Sequence, residues 1–182
     1  HAIEQLDADL VCLQEVRFVN RREQRRFARW PEQPQADFLA PEGYEPVYRT
    51  NAITRHGEHG NALLSRWPVL SHQHQDISDH RFEQRGLLHT EVQLAGRTVH
   101  ALVVHLGLIP GSRERQVALL QSYIAREIPA TEPVLVAGDF NDWGTRLTRL
   151  MALAGFHEYT GPRTPTYPSR LPLTQLDHVY AR

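Results

Sequence analysis

The amino-acid sequence predicts an α+β sandwich in which two packed, mainly antiparallel β-sheets are covered on the outside by helices. Short strands follow one another with turn-sized connections, as they do in antiparallel hairpins. The strands are continuous apolar runs, for example residues 101–104, and such runs are typical of strands covered on both faces. Helical patterns are few and lie between the strands, so we expect the helices outside the sheets.

Apolar runs and turn residues divide the chain into its elements. Strands are predicted, in chain order, at residues 10–13, 44–50, 61–65, 86–94, 97–106, 133–137 and 176–181. The two-residue connection Ala95-Gly96 predicts a hairpin between two of these strands. The proline-rich stretches at residues 31–43 and 163–172 are predicted to be loops.

Two amphipathic helices are expected in the second half of the chain. Ser112 is the predicted start of the first, and Pro129 ends a run in which apolar residues recur at helical spacing. The second covers residues 146–154 and is closed by Gly155. The arginine-rich residues 20–30 predict an exposed helix or loop, since a row of like charges is usually solvated.

Size, charge and cysteine content narrow the class of protein. The 182 residues, of which 41% are hydrophobic, predict a single domain over residues 1–182. The formal net charge of −1 argues against a strongly basic nucleic-acid clamp, and no apolar stretch reaches the roughly 20 residues of a membrane helix. One cysteine, Cys12, cannot form an internal disulfide, so the cytoplasm is the favoured location. We expect a monomer.

Polar side chains stand at the ends of three predicted strands. Glu15 follows the first strand, Asp139 and Asn141 follow the strand at residues 133–137, and Asp177 opens the last strand. Any one such carboxylate is more often a solvated strand end. Several that converge would form an oxygen-rich cluster, which suits Mg²⁺, with Mn²⁺ as an alternative, rather than zinc.

The eleven histidines do not show the spacing of a helical metal site. The pairs His56 and His59, and His72 and His74, are therefore interpreted as polar loop or strand-face residues. His105 ends a strand, where an imidazole could donate to a phosphoryl oxygen or protonate a leaving group. A hydrogen-bonded core histidine is the alternative interpretation of this residue.

Five short motifs occur in an order that resembles a known family. They are DLVCLQE (residues 9–15), GNALLSRWP (60–68), VHL (104–106), GDFN (138–141) and LDHVY (176–180). Individually weak, they are specific in this order, and they cover nearly the whole chain. The sequence is similar to the endonuclease/exonuclease/phosphatase, or deoxyribonuclease-I-like, family. The resemblance implies a four-layer αββα sandwich with the active site at one end of the two sheets.

The resemblance also implies roles for individual residues. Glu15 matches the metal-binding glutamate of the family. Asp139 and Asn141 match the pair that orients the attacking water and holds the phosphate, and Asp139 is expected to bind the metal as well. His105 matches the residue that contacts the scissile phosphate. Asn61 matches a polar site residue that is expected to contact the substrate.

Two features of the family are expected outside these residues, so that the fold would be truncated at both ends. A strand with an asparagine near the metal would precede His1, and a Ser-Asp-His motif with the catalytic histidine would follow Arg182. Asp177 matches the aspartate that orients this histidine. His178 stands next to it, but neighbours on a strand point to opposite faces, so we predict that His178 faces away from the site.

The sequence therefore predicts a Mg²⁺-dependent phosphodiesterase or phosphatase that uses in-line attack of water. Nucleic acids, phospholipids and inositol phosphates all remain candidate substrates. The alternative is a catalytically incomplete domain of the same fold that binds phosphate ligands, and a third hypothesis is a structural domain stabilised by a cation. Arg85 and Arg113 could hold further phosphates, although solvated surface arginines are the favoured interpretation.

Overall fold

Nine strands and five helices make up the part of the chain that the structure, a computed structural model, describes: residues 2–28, 30–159 and 165–182. In chain order they are α1 (Ala2–Leu6), β1 (Leu10–Asn20), α2 (Arg21–Arg26), α3 (Gln35–Leu39), β2 (Glu45–Thr54), β3 (Gly57–Ser65), β4 (Val69–Asp76), β5 (Gly86–Leu94), β6 (Arg97–His105), α4 (Pro110–Glu127), β7 (Val134–Asp139), α5 (Arg146–Leu153), β8 (His157–Glu158) and β9 (Asp177–Ala181).

The strands form two sheets. The first sheet has three antiparallel strands in the order β1-β3-β2. The second has six strands in the order β4-β5-β6-β7-β9-β8. Its strands pair in antiparallel fashion except for β6 and β7, which are parallel and are joined by the crossover helix α4. A parallel pair needs such a crossover because a hairpin can join only antiparallel strands.

Three apolar clusters divide the molecule into four layers. One cluster lies between the two sheets; its buried members are Val47, Leu63, Leu88, Val92, Ala101 and Val103. A second joins the six-stranded sheet to α4 and α5; it includes Leu102, Val104, Leu120, Ile124, Val136, Leu147 and Met151. A third joins α3 to the three-stranded sheet; its buried members are Val16, Ala36 and Ala62. The layers are therefore helix, sheet, sheet and helix, which confirms the predicted αββα sandwich.

The elements that the sequence did not predict include the strand β4 and the helix α3. Residues 31–43 are predicted to be a loop, but Gln35–Leu39 forms a helix there. Ala36 is buried on the three-stranded sheet, and the side chain of Gln35 accepts the backbone N–H of Arg17. Packing against β1 thus stabilises a helix too short to be evident from local sequence. In the second predicted loop, residues 163 and 164 lie outside the described residues.

Helix α4 begins two residues earlier than predicted. Pro110 occupies its first turn, where a missing N–H costs nothing and the fixed φ angle suits the helix. Ser112 is therefore inside the helix, and its hydroxyl donates to Asp79 Oδ2 at 2.7 Å instead of capping the end. Among the described residues, no helix is both long and apolar enough to cross a membrane.

Candidate active site

Three neighbouring strands of the six-stranded sheet carry polar residues at the same level. His105 of β6 is aligned with Asp139 of β7, and Asp139 with Asp177 of β9. Val103 packs between the two sheets, and His105, two residues further along β6, faces the same space because side chains alternate along a strand. The predicted convergence of these strand ends is therefore present in the fold.

A β-bulge in β1 turns Glu15 toward the six-stranded sheet. Leu13 pairs with Ala62 of β3, whereas Val16 pairs with Gly60, so the pairing register shifts between these positions. Leu13 and Val16 both belong to the cluster beneath α3, and Glu15 lies between them at a φ of 54°. In a regular strand Glu15 would share the face of Leu13, so the bulge re-aims its carboxylate.

The side chain of His105 lies between two carboxylates from different sheets. Its Nδ1 is 3.8 Å from Glu15 Oε1, and its Nε2 is 3.7 Å from Asp139 Oδ2. Burial lowers the pKa of His105 to about 4, and the positive charge of Arg85 acts in the same direction. The imidazole is therefore neutral at pH 7 and carries one N–H donor.

Asn141 fixes the geometry around Asp139. Its backbone N–H donates to Asp139 Oδ1 at 2.8 Å, which leaves Oδ2 as the oxygen facing His105. The Nδ2 of Asn141 donates to the carbonyl of Leu106 at 2.9 Å and orients the amide. Asn141 adopts a φ of 47°, a left-handed conformation that asparagine tolerates better than most residues.

Crowded carboxylates make this site suitable for a cation. Burial raises the pKa of Asp139, and the charges of Asp177 and Glu15 act in the same direction. The N–H of Asn141 and the charge of Arg85 oppose this shift. Oxygen donors that repel one another fit a hard divalent cation such as Mg²⁺, which relieves the repulsion. The Glu15 side chain is 53% exposed, so its carboxylate is open to such an ion.

Asn61 connects the two sheets. Its Nδ2 donates to the carbonyl of Gly86 at 2.8 Å and to that of Val103 at 3.0 Å, both in the six-stranded sheet. The residue is fully buried, and its Oδ1 has no hydrogen-bond partner among the described residues. The substrate contact expected for Asn61 stays a prediction, and the observed bonds add a structural role.

Arg85 and Arg113 are not the solvated surface residues that the sequence favours. Arg113 is 6% exposed, and its Nη1 donates to the carbonyl of Leu108 at 2.6 Å. Arg85 Nε donates to the carbonyl of Leu106 at 3.2 Å, and its Nη2 forms an ion pair with Glu83 Oε1 at 3.2 Å. Both arginines therefore support the segment that follows His105 in the chain.

A cleft of about 450 Å³ lies beside Arg85. It is lined by Ala52, Thr54, His59, Phe82, Glu83, Gln84, Arg85, Leu108 and Ile109. His59 Nδ1 is buried without a hydrogen-bond partner among the described residues, and burial lowers the pKa of His59. The sequence alone favoured an ordinary polar residue at His59. Its position two residues before Asn61, and hence on the same face of β3, was the available signal.

His178 lies on the opposite face of β9 from the site, as predicted. Its ring packs on Phe140 and Tyr180, and its Nδ1 is 2.6 Å from Glu158 Oε1. Tyr180, two residues along, belongs to the cluster beneath α4 and α5. Asp177, by contrast, lies close enough to Asp139 to act on it electrostatically.

Similarity to one known family extends over the whole chain. The family model described as "Endonuclease/Exonuclease/phosphatase family" matches residues 1–182. The chain belongs to this family. Among curated proteins, "Uncharacterized protein YbhP" from Escherichia coli (strain K12) is 37% identical over 189 residues, which cover 100% of this chain and 74% of that protein.

Solved structures of the endonuclease/exonuclease/phosphatase family share the fold. One from Beutenbergia cavernae DSM 12333 matches with a TM-score of 0.73 and 19% identity, over 98% of this chain and 56% of that chain. The mannosyl-6-phosphatase Bt3783 of Bacteroides thetaiotaomicron VPI-5482 matches with a TM-score of 0.68 and 15% identity, over 99% of this chain and 73% of that chain. At these identities the likeness concerns the fold.

Proposed function

We propose that this protein is a metal-dependent phosphoesterase that hydrolyses a phosphodiester or phosphomonoester by in-line attack of water. The observation that carries the proposal is the contact of His105 with two carboxylates, Glu15 Oε1 at 3.8 Å and Asp139 Oδ2 at 3.7 Å. Membership in a family of nucleases and phosphatases supports the same class of reaction.

Glu15 and Asp139 would hold the divalent cation, for which Mg²⁺ is the first choice and Mn²⁺ the second. When bound, the cation neutralises phosphate charge and stabilises the charge that develops on the leaving oxygen. Burial raises the pKa of Asp139 and the charges of Asp177 and Glu15 add to the shift; a bound cation would relieve this repulsion, which supports the assignment. The two carboxylates come from different sheets, so the cation would also bridge the sandwich.

The remaining polar residues would position water and phosphate. Asp139 orients the attacking water through Oδ2, since Oδ1 already accepts the Asn141 N–H. The second hydrogen of Asn141 Nδ2 donates to a phosphate oxygen, while the first is held by Leu106. Neutral His105 donates its N–H to another phosphate oxygen and acts as a hydrogen-bond donor rather than an acid. Asp177 orients the catalytic imidazole that the family uses.

The cleft beside the site would receive the leaving group of the substrate. Arg85 and His59 line it and can offer N–H donors, Glu83 pairs with Arg85, and Phe82 adds an exposed apolar surface. A compact phosphorylated group fits this cleft, while the near-neutral net charge offers no general attraction to long duplex DNA. The candidate substrates are therefore single nucleotides or nucleic-acid ends, phospholipid head groups and inositol phosphates.

The test is hydrolysis of bis(p-nitrophenyl) phosphate and p-nitrophenyl phosphate by the full-length protein, which would include the expected Ser-Asp-His motif, with Mg²⁺, Mn²⁺ or EDTA. We expect turnover that requires the metal and falls at least about 100-fold in Glu15→Gln and Asp139→Asn. Glu42→Gln, an exposed glutamate, is the matched control and should retain full activity. Undiminished Mg²⁺-dependent turnover by Glu15→Gln would refute the metal-binding role.

A second candidate function is phosphate binding without turnover. The orientation of His178 favours this function. Its imidazole bonds to Glu158 and faces away from His105, Glu15 and Asp139, so it cannot serve as the catalytic histidine. A folded protein that binds inorganic phosphate in a Mg²⁺-dependent manner, but hydrolyses neither ester, would support this function. Phosphate binding should then weaken in Asn141→Gly. Glycine readily adopts the φ of 47° at this position, so the variant loses the side-chain amide without new backbone strain.

A further inference from the structure

A second group of metal-ligating side chains lies toward the other end of the six-stranded sheet. His89 and Glu91 are on β5, and Glu91 pairs directly with His100 on β6. One ligand atom from each residue lies within 4.8 Å of the other two. His100 and His105 are five positions apart on β6, which is about 16 Å along the strand. This group is therefore separate from the candidate active site.

The inner nitrogens of the two imidazoles face each other. His89 Nε2 and His100 Nδ1 are 2.9 Å apart. Each outer nitrogen has its own partner: His89 Nδ1 is 2.9 Å from the Tyr123 hydroxyl, and His100 Nε2 is hydrogen-bonded to the Glu132 carboxylate. Histidines that bind metals are held in this way, with the far nitrogen bonded to a carboxylate or another oxygen that fixes the orientation of the ring.

The chain of hydrogen bonds ends on an acceptor, the Glu132 carboxylate, at one side and on the Tyr123 hydroxyl, which can donate or accept, at the other. The Glu132 carboxylate accepts from His100 Nε2–H, and the Tyr123 hydroxyl can donate to Gln73 Oε1 at 3.5 Å. The Tyr123 oxygen is then available to accept from His89 Nδ1–H. With both outer nitrogens protonated, the two inner nitrogens direct their lone pairs at each other. A metal ion between the rings stabilises this tautomer. In its absence the Tyr123 hydroxyl can donate to His89 Nδ1, and His89 Nε2–H can donate to His100 Nδ1.

We propose that His89, His100 and Glu91 form a binding site for a divalent transition-metal ion of the Zn²⁺ class. Two imidazoles and one carboxylate suit Zn²⁺ far better than Mg²⁺. Zn–N bonds of about 2.05 Å in tetrahedral geometry place two nitrogens about 3.3 Å apart. The rings must therefore separate by about 0.4 Å and also turn, so that both lone pairs point at the ion. A water molecule can supply a fourth ligand.

Burial and charge both support the site. His89 and His100 are 2% and 3% exposed, so their rings are packed in place before any ion arrives. Glu91 is half-buried and the Glu132 side chain is 39% exposed, which leaves a route from solvent. Burial and the neighbouring His100 lower the pKa of His89 to about 4, against the opposing charges of Glu91 and Glu127, so the imidazole is neutral, as a metal ligand must be. The bound ion would link the side chains of β5 to that of β6 and so stabilise the sheet beneath α4.

The test is metal titration of the full chain without an affinity tag, after removal of metal by a chelator. The parent protein carries Glu15→Gln and Asp139→Asn, so that the candidate active site does not compete for the added metal. The outcome is then independent of whether the proposed phosphoesterase function holds. Zn²⁺ is followed by calorimetry, and Co²⁺ by visible absorption, which reports nitrogen ligation. We expect one equivalent of Zn²⁺ to bind with a micromolar or tighter Kd.

Variants identify the ligands. Affinity for Zn²⁺ should fall at least about tenfold in His89→Gln, His100→Gln and Glu91→Gln. It should be unchanged in His72→Gln, an exposed histidine on the adjacent strand β4. The Tm of the parent, but not of His100→Gln, should rise with Zn²⁺.

Three results would overturn the proposal. The first is the absence of stoichiometric Zn²⁺ binding, which would leave an ordinary hydrogen bond between His89 Nε2 and His100 Nδ1. The second is equal affinity in the three ligand variants and the parent, and the third is equal weakening in His72→Gln. If a buried-histidine variant fails to fold, Glu91→Gln and the Co²⁺ spectrum of the parent still decide the outcome, because Glu91 is only partly buried.

Discussion

At the scale of single residues, neighbours in the sequence have separate roles because a strand divides them between two faces. Asp177 lies on the face that carries Asp139, whereas His178 is buried on the other face against Tyr180. The hydrogen bond from His178 to Glu158 and the stacking at a ring distance of 5.7 Å give it a packing role. A histidine next to a site aspartate is therefore not itself evidence of catalysis.

His178→Ala should lower stability and leave catalysis largely intact. The change removes ring contacts and the bond to Glu158, which we expect to cost about 1–3 kcal/mol of unfolding free energy. The specificity constant, kcat/KM, should stay within a few-fold of the value for the unsubstituted protein, at a temperature where both proteins are folded. Chemical denaturation and ester hydrolysis measure the two effects, with Asp177→Asn as the paired variant expected to lose activity. A several-hundredfold loss in folded His178→Ala would contradict the assignment.

At the scale of elements, the bulge in β1 places a carboxylate in the site at the cost of backbone strain. Glu15 has a φ of 54°, and such a conformation costs a residue with a side chain about 1 kcal/mol or more. The adjacent register shift allows Leu13 and Val16 to remain in one apolar cluster while Glu15 turns to the other sheet. The strain is therefore explained by the position of the carboxylate.

Glu15→Gly should separate stability from activity. Glycine adopts positive φ readily, so we expect the unfolding free energy to rise by up to about 1 kcal/mol while turnover is lost. Ala95→Gly is a matched control, because Ala95 has a φ of 49° in the β5–β6 hairpin, away from the site. This control should stabilise the protein similarly and retain full activity. A fall in Tm for Glu15→Gly would mean that its carboxylate stabilises the fold more than its backbone strains it.

At the scale of the whole molecule, both ends of the six-stranded sheet contain buried neutral imidazoles. Burial lowers the pKa of His89 to about 4, and the neighbouring His100 adds to the shift. Burial likewise lowers the pKa of His105 to about 4. The unfolded chain binds these protons near pH 6.5, before the folded protein does, so acidification favours unfolding.

Stability of the metal-free protein should therefore fall as the pH is lowered from about 6.5 to about 4. His89 alone contributes at most about 3 kcal/mol to this loss, since one pKa unit corresponds to about 1.36 kcal/mol. Urea unfolding in EDTA across this range measures the slope. His89→Gln keeps hydrogen-bonding capacity but does not titrate, so its slope should be shallower. His105 maintains part of the slope, and identical slopes in both proteins would contradict the assignment.

Local sequence patterns were sufficient to predict much of this protein. Strand-end positions made Glu15, Asp139 and Asp177 candidates for one cluster, and the family resemblance added His105. The fold aligns His105, Asp139 and Asp177 on three neighbouring strands. The Ala95-Gly96 turn predicted the hairpin, which the structure confirms. These features depend on neighbours within a few residues, and the period of a strand carries that information.

Features that depend on contacts between distant segments were not predicted. The helix α3 forms because Ala36 meets the sheet, and Arg113 is buried because its guanidinium donates to the chain after β6. The pairing of His89 with His100 follows from the hairpin register, but their partners Tyr123 and Glu132 come from a helix and a loop elsewhere in the chain. Such contacts depend on how layers pack, because a side chain's surroundings are set by segments that the local pattern does not contain.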